Sequence, residues 1–132
     1  MRTNAREIGI LWEDVVLAHL QAAGLKLIVR NFHCRLGEID LIMLDRSGRG
    51  GDGIVFAEVR YRNAHAHGDG TASVGTAKRS KLVRTAQIWL QQNSQHAARP
   101  CRFDVIGCGG TPAHPQFEWT RNAFDAFTGE SG

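Results

Sequence analysis

A mixed α/β domain with one central sheet is what this 132-residue chain predicts, and three patterns predict it. Two stretches, about Asn4 to Ala23 and Thr76 to about Asn93, carry apolar residues at helical spacing. Two others, Gly37 to Leu44 and Ile54 to Arg62, are apolar runs joined by a polar, glycine-rich interval, the signature of a β-hairpin. Further strand-like runs lie before and after them, so the order is helix, hairpin-rich sheet, helix and more strands. The length suits a single domain over residues 1–132, enough to bury roughly two thirds of its unfolded surface in one core.

In the first helix, Ile8, Leu11, Trp12, Val15 and Val16 follow the i, i+3, i+4, i+7 rule, and Gly24 is placed to end it. Asn4 with Glu7 resembles a capping box that uses Asn. Leu17 and Leu20 lie on another side, so burial on more than one face is expected. Glu13 stands beside them, either as an ordinary solvated acid or as a third acid turned toward the hairpin. Leu25 to Arg30 reads as the first strand, leading through Asn31 to Arg35 into the hairpin. His33 and Cys34 are adjacent, but no further ligands at regular spacing support a soft-metal site.

The hairpin carries the chemistry. Period-two geometry puts Glu38, Asp40 and Ile42 on one face of its first strand, and Phe56, Glu58 and Arg60 on one face of its second. Acids are thereby held among Ile, Val and Phe. A carboxylate kept in low dielectric loses several kcal/mol of hydration, so it must protonate, find a cation or bind a metal. Asp40 and Glu58 offer two oxygen ligands on adjacent strands, the hard donors that Mg²⁺ or Mn²⁺ prefers. The plainer reading is a half-exposed strand whose Glu58 pairs with Arg60 or Arg62.

Asn63 to Gly75, with His65 and His67, is expected to be a mobile glycine-rich loop able to close over a neighbouring site, and His metal binding there is a minor reading. The second helix has an apolar stripe of Leu82, Ala86, Trp89 and Leu90, broadened by Val83 and Ile88, while Lys78, Arg79, Lys81 and Arg84 crowd its first half. Cations at a helix N-terminus oppose the macrodipole. They suit an external anion, and a phosphate backbone is the obvious one; a solvated basic face is the alternative. Gln91 to Pro100 reads as a polar connection, Cys101 to Ile106 as a strand, Gly107 to Pro115 as a loop and Phe117 to Thr120 as an edge strand. Ala123, Phe124 and Phe127 suggest a final helical turn, and residues 129–132 a frayed tail.

Composition narrows the setting. Lys plus Arg exceed Asp plus Glu by 16 to 13, a formal charge of +3 that permits a polyanionic partner without requiring one. Three cysteines without a zinc spacing argue for a reducing compartment. The first residues lack the apolar core of a signal peptide, and no apolar run approaches a membrane span, so a cytoplasmic location in a bacterium-like cell is expected. No repeat, phosphate-cradling glycine motif, Ser-His-Asp or Cys-His arrangement stands out.

Taken together, Gly37-Glu38-Ile39-Asp40-Leu41-Ile42, Phe56-Ala57-Glu58-Val59-Arg60-Tyr61-Arg62, Lys78 at the second helix, Arg102-Phe103-Asp104-Val105 and Arg121-Asn122-Ala123-Phe124 resemble the YraN-type family of small bacterial proteins. Glu13 and Asn31 extend the match, which covers nearly the whole chain. That family is grouped with the PD-(D/E)XK restriction-endonuclease-like superfamily and is similar to archaeal Holliday-junction resolvases. The resemblance implies an α/β, restriction-endonuclease-like fold, a mixed central β-sheet flanked by α-helices, and a metal-dependent endonuclease hydrolysing phosphodiester bonds in DNA, on branched or recombination and repair intermediates. It makes Asp40 and Glu58, with the Val59 carbonyl, the ligands of Mg²⁺ or Mn²⁺, and Glu13 the helix acid.

Arg60 departs from the pattern, which has Lys there. A guanidinium does not act as a general base at relevant pH, so Arg60 is left to hold water or to stabilise phosphate charge. A bound metal lowers the water pKa by itself, so the change need not abolish turnover. Lys78 is the nearest substitute cation in sequence, and the basic stretch Lys78, Arg79, Lys81 and Arg84 is expected to engage the DNA backbone. Cutting both strands of a junction favours a homodimer. The alternative is a nuclease-fold DNA-binding module, or a protein-interaction domain, that does not cleave.

Overall fold

Strand-period and helix-period apolar patterns resolve into two helices on opposite faces of one sheet. The computed structural model describes residues 5–47, 52–61 and 75–124. Helix α1 (Ala5–Ala22) is followed by β1 (Leu25–Cys34), β2 (Gly37–Asp45), β3 (Gly53–Tyr61), helix α2 (Thr76–Gln92), a 3₁₀ turn (Ser94–His96), β4 (Cys101–Thr111) and β5 (His114–Phe124). The strands lie in the order β1-β2-β3-β4-β5, antiparallel except for the parallel pair β3–β4 that α2 connects. This is the mixed sheet flanked by helices that the sequence predicts, consistent with a restriction-endonuclease-like fold.

Alternation along the central strands builds two cores from the same segments. Leu41, Met43, Val55, Ala57, Ile106 and Cys108 pack beneath Trp12, Val16 and Leu20 of α1. Ile42, Ile54, Phe56, Phe103 and Val105 pack beneath Leu82, Ala86 and Trp89 of α2. Strands covered on both faces are apolar on both, which is why β2, β3 and β4 read as nearly continuous apolar runs.

Several boundaries differ from the expectations above. Helix α1 buries one stripe, Trp12, Val16 and Leu20, whereas Ile8 and Leu11 are 37% and 44% exposed. Leu11 is rotated about 100° from Trp12, away from the sheet. β1 runs on to Cys34, because it pairs with β2 as far as Cys34–Gly37 across a two-residue turn. The stretch Gly107 to Pro115 is mostly strand rather than loop: β4 continues to Thr111 and β5 begins at His114. Glycines lack side chains to pack but keep their ladder groups, and β5 supplies the partners. Ala123 and Phe124 end β5 instead of forming a helical turn, with Phe124 stacked on Phe103 at 4.8 Å between centroids. Asn4, Arg62, the expected mobile loop over 63–74, Phe127 and the tail 129–132 lie outside the described residues. No helix among the described residues is long and apolar enough to cross a membrane.

At one end of the sheet a buried ionic group ties three strands. Asp104, 1% exposed, accepts hydrogen bonds from Arg102 Nε at 3.0 Å, Trp119 Nε1 at 2.9 Å and the Asn122 N–H at 2.9 Å. Arg102 also donates to Asp45 at 2.8 Å, and Ser47 donates to the other Asp45 oxygen, which together hold the Asp45 carboxyl at a pKa of about 2. Removing the cation strands two buried acids. Arg102→Ala is therefore expected to lower unfolding free energy by about 3–5 kcal/mol, and Trp119→Phe, which deletes one donor, by about 1 kcal/mol, both read by urea denaturation. Equal small losses would show that the group contributes little.

Candidate active site

The opposite end of β2 and β3 opens into a cleft. The β2–β3 ladder ends at Leu41–Ala57. Beyond it the Asp40 side chain substitutes for backbone: Oδ2 accepts the Val59 N–H at 2.8 Å. Ile39 joins Ile42 in the core under α2, while Leu41 and Met43 face α1, so strict alternation breaks around Asp40. Departure from the regular ladder leaves Asp40 among apolar neighbours with one hydrogen bond from the described residues.

Glu58, on the α2 face of β3, is 9% exposed, and its Oε2 lies 2.5 Å from Lys78 Nζ. Among the described residues the cation paired with Glu58 is thus Lys78, from the first turn of α2, rather than the expected Arg60; Arg62, the other expected partner, lies outside the described residues. Gly37 permits this approach: a Cβ there would meet Thr85 Oγ1 of α2 at 3.1 Å. The resulting cleft holds about 400 Å³ and is lined by Glu38, Asp40, Glu58, Lys78, Lys81 and Leu82, among others.

The electrostatics are lopsided. Burial first, then the neighbouring Glu58, and then Glu13 and Glu38, raise the Asp40 pKa to about 7 against the opposing Val59 N–H bond. Four acids share this end of the sheet. Lys78 answers Glu58. Arg30 answers Glu13 at 3.4 Å and Asp14 at 2.6 Å and also donates to the Ile10 carbonyl. Nothing of positive charge is hydrogen-bonded to Asp40 among the described residues. Among the described residues no group of three or more His, Cys, Asp or Glu side chains forms a ready metal cage. Asp40 and Glu58 supply hard carboxylate oxygens, the donor type that could hold a divalent cation.

The sequence-singled residues separate on this geometry. Asp40, Glu58, Lys78 and Lys81 meet in the cleft. Glu13 lies on the α1 side, in a recess with Arg6, Ile10 and Asn31 that shares Glu38 with the cleft. Arg60 continues β3 beyond Glu58, paired through its backbone with Gly107, and is not among the cleft-lining residues. Arg79 lies over the Phe124 ring at 5.6 Å. Arg84 is exposed and likewise outside the cleft lining. The sequence places Glu38 on a strand face with Asp40 but gives it no role, and it gives Arg30 none; packing brings both to the acids.

A model of the uncharacterised protein family UPF0102 matches residues 12–108. The chain is 46% identical over 124 residues to a UPF0102 protein of Ectopseudomonas mendocina, covering 94% of this chain and 99% of that one. It is 43% identical over 129 residues to a UPF0102 protein of Pseudomonas paraeruginosa, covering 95% and 98%.

Asp40 sets a pH dependence of stability. Its folded pKa, about 7, exceeds the ordinary value of 3.8, so the folded chain holds a proton that the unfolded chain releases. The neutral form's contribution is fully present below about pH 4, falls as pH rises to about 7, and is then lost. Asp40→Asn stays neutral and keeps an oxygen for the Val59 N–H. It is expected to be more stable than wild type at pH 8 by a few kcal/mol, at about 1.4 kcal/mol per pK unit, and equal to it at pH 4. Urea unfolding at the two pH values measures this; a pH-independent difference would show that Asp40 ionises normally.

Proposed function

The chain belongs to the UPF0102 family, and we propose that this member is a metal-dependent endonuclease that hydrolyses DNA phosphodiester bonds in the Asp40–Glu58 cleft. What supports this most is Asp40: a half-buried acid with one N–H for a partner, beside a second acid and two lysines, which is wasteful for stability and useful for catalysis. Asp40 and Glu58, with the Val59 carbonyl between β3 neighbours, would hold Mg²⁺ or Mn²⁺. Such an ion supplies a lowered water pKa and polarisation of the phosphoryl oxygen.

The remaining work falls to the chain's own groups. Lys78 neutralises Glu58, and its ammonium is close enough to meet a phosphate that enters the cleft. A lysine there has three donors on a flexible stem, so it can follow phosphate charge as it builds on the oxygens. Lys81, one helical turn further along the cleft wall, adds a phosphate contact. Glu13, held by Arg30, acts on the site through its field and through Glu38. Arg60 is left with an outer role on the strand beyond Glu58. A second reading, a DNA-binding module that does not cleave, draws on Arg60 standing where the resembled motif has Lys.

Cleavage of labelled linear, single-stranded, flapped and four-way-junction DNA with Mg²⁺ or Mn²⁺ tests the assignment. Asp40→Ala is expected to abolish turnover, Lys78→Ala to reduce it by about 10²–10³, and Arg60→Lys to change it far less. Cleavage by Asp40→Ala at the wild-type rate would sink the nuclease reading. Silence from wild type with salt-sensitive binding would favour the non-cleaving module.

A further inference from the structure

Tyr61 closes β3 three residues beyond Glu58, about 10 Å along the strand. It is 49% exposed, although it is aromatic and stands beside a site rich in charge. Its ring is braced from the protein side by Trp12, which is itself 3% exposed, with centroids 5.2 Å apart and planes tilted by 35°. Such a ring is held ready and leaves apolar surface in water, and Ile8 and Leu11 of α1, the helix that carries Trp12, are also exposed.

The two features lie on different faces. Glu58 faces α2, whereas Tyr61 reaches the α1 side to meet Trp12. Glu38 lines both the cleft and the recess beside Arg6 and Ile10, so one side chain borders both recesses. A ligand that touches both features must therefore bend around the end of the sheet within roughly the 10 Å of strand between Glu58 and Tyr61. Duplex DNA, with a persistence length of about 150 base pairs, does not make that turn, and both faces of its bases are already covered by stacking. An unpaired strand bends freely and offers bare base faces, which aromatic rings accept without regard to sequence.

We propose that the cleft takes an unpaired DNA segment, its phosphate at Lys78 and Lys81 and a neighbouring base stacked on Tyr61. This rests on the nucleic-acid reading above and narrows it to a substrate class: single strands, or the unpaired nucleotides of flaps and branch points. Tyr61 sets specificity and touches no reacting atom.

Metal-free binding separates this inference from the question of cleavage. The affinities of a fluorescent single-stranded oligonucleotide and of a hairpin duplex of equal charge, in EDTA at fixed salt, give a ratio for each variant. Wild type is expected to favour the single strand at least about tenfold, with quenching of Trp12 emission on binding, and Tyr61→Ala to bring the ratio near one. Tyr61→Phe should keep the ratio, and Tyr61→Leu, which still covers Trp12, should lose it, so stacking is distinguished from packing. Lys81→Ala should weaken both ligands and preserve the ratio. Equal wild-type affinities, a ratio that survives Tyr61→Leu, or no DNA binding at all would overturn the proposal. A preserved ratio without any cleavage would uphold it and count against the nuclease reading alone.

Discussion

The candidate-site end of this protein depends on one half-buried carboxylate whose charge no cation of the described residues matches by a hydrogen bond. Asp40 replaces a rung of the β2–β3 ladder, taking the Val59 N–H with its side chain. One neutral hydrogen bond does not offset the hydration that burial removes, and three further acids make the deficit larger. The folded chain tolerates this only because two apolar cores, one under each helix, hold β2 and β3 in place. Stability is drawn from the whole sheet and spent locally at its end.

A second acid in the same sheet shows what a structural carboxylate looks like. Asp104 is more deeply buried than Asp40, yet Arg102, Trp119 and the Asn122 backbone all donate to it. Asn122 adopts a positive φ of 51° at the point where its N–H meets Asp104. Both acids belong to motifs that stand out in the sequence, and residue type alone does not separate them. Partner count does: Asp104 accepts from three groups of the chain, and Asp40 accepts one N–H.

Helix α2 links the fold to the site in two ways. As the crossover between parallel strands it must return across the sheet, and its buried stripe of Leu82, Ala86 and Trp89 fixes how it lies. That same docking, made close by Gly37 beneath Thr85, delivers Lys78 to Glu58. The cation beside the acids therefore comes from a helix 20 positions downstream of Glu58, while the arginine two positions downstream, Arg60, lies outside the cleft lining. Spatial role has been separated from strand position, and the chemistry of the cleft follows the helix.

The sequence by itself determined the α/β class, both helices, the β2–β3 pair and the placing of Asp40 and Glu58 on it, because period and composition are local properties that survive without neighbours. Local signals also misled where they were weak: the glycines from Gly107 to Gly110 read as a loop, although ladder pairing with β5 needs no side chains. Ile8 and Leu11 read as core, although a single sheet face buries a single stripe of helix. Only the tertiary structure decided which cation meets Glu58, that Glu13 is held by Arg30, and that Tyr61 stands exposed on Trp12. Those are contacts between segments far apart in the chain, set by how helices dock on a sheet. No pattern within one segment encodes them, because the docking is fixed by both partners at once.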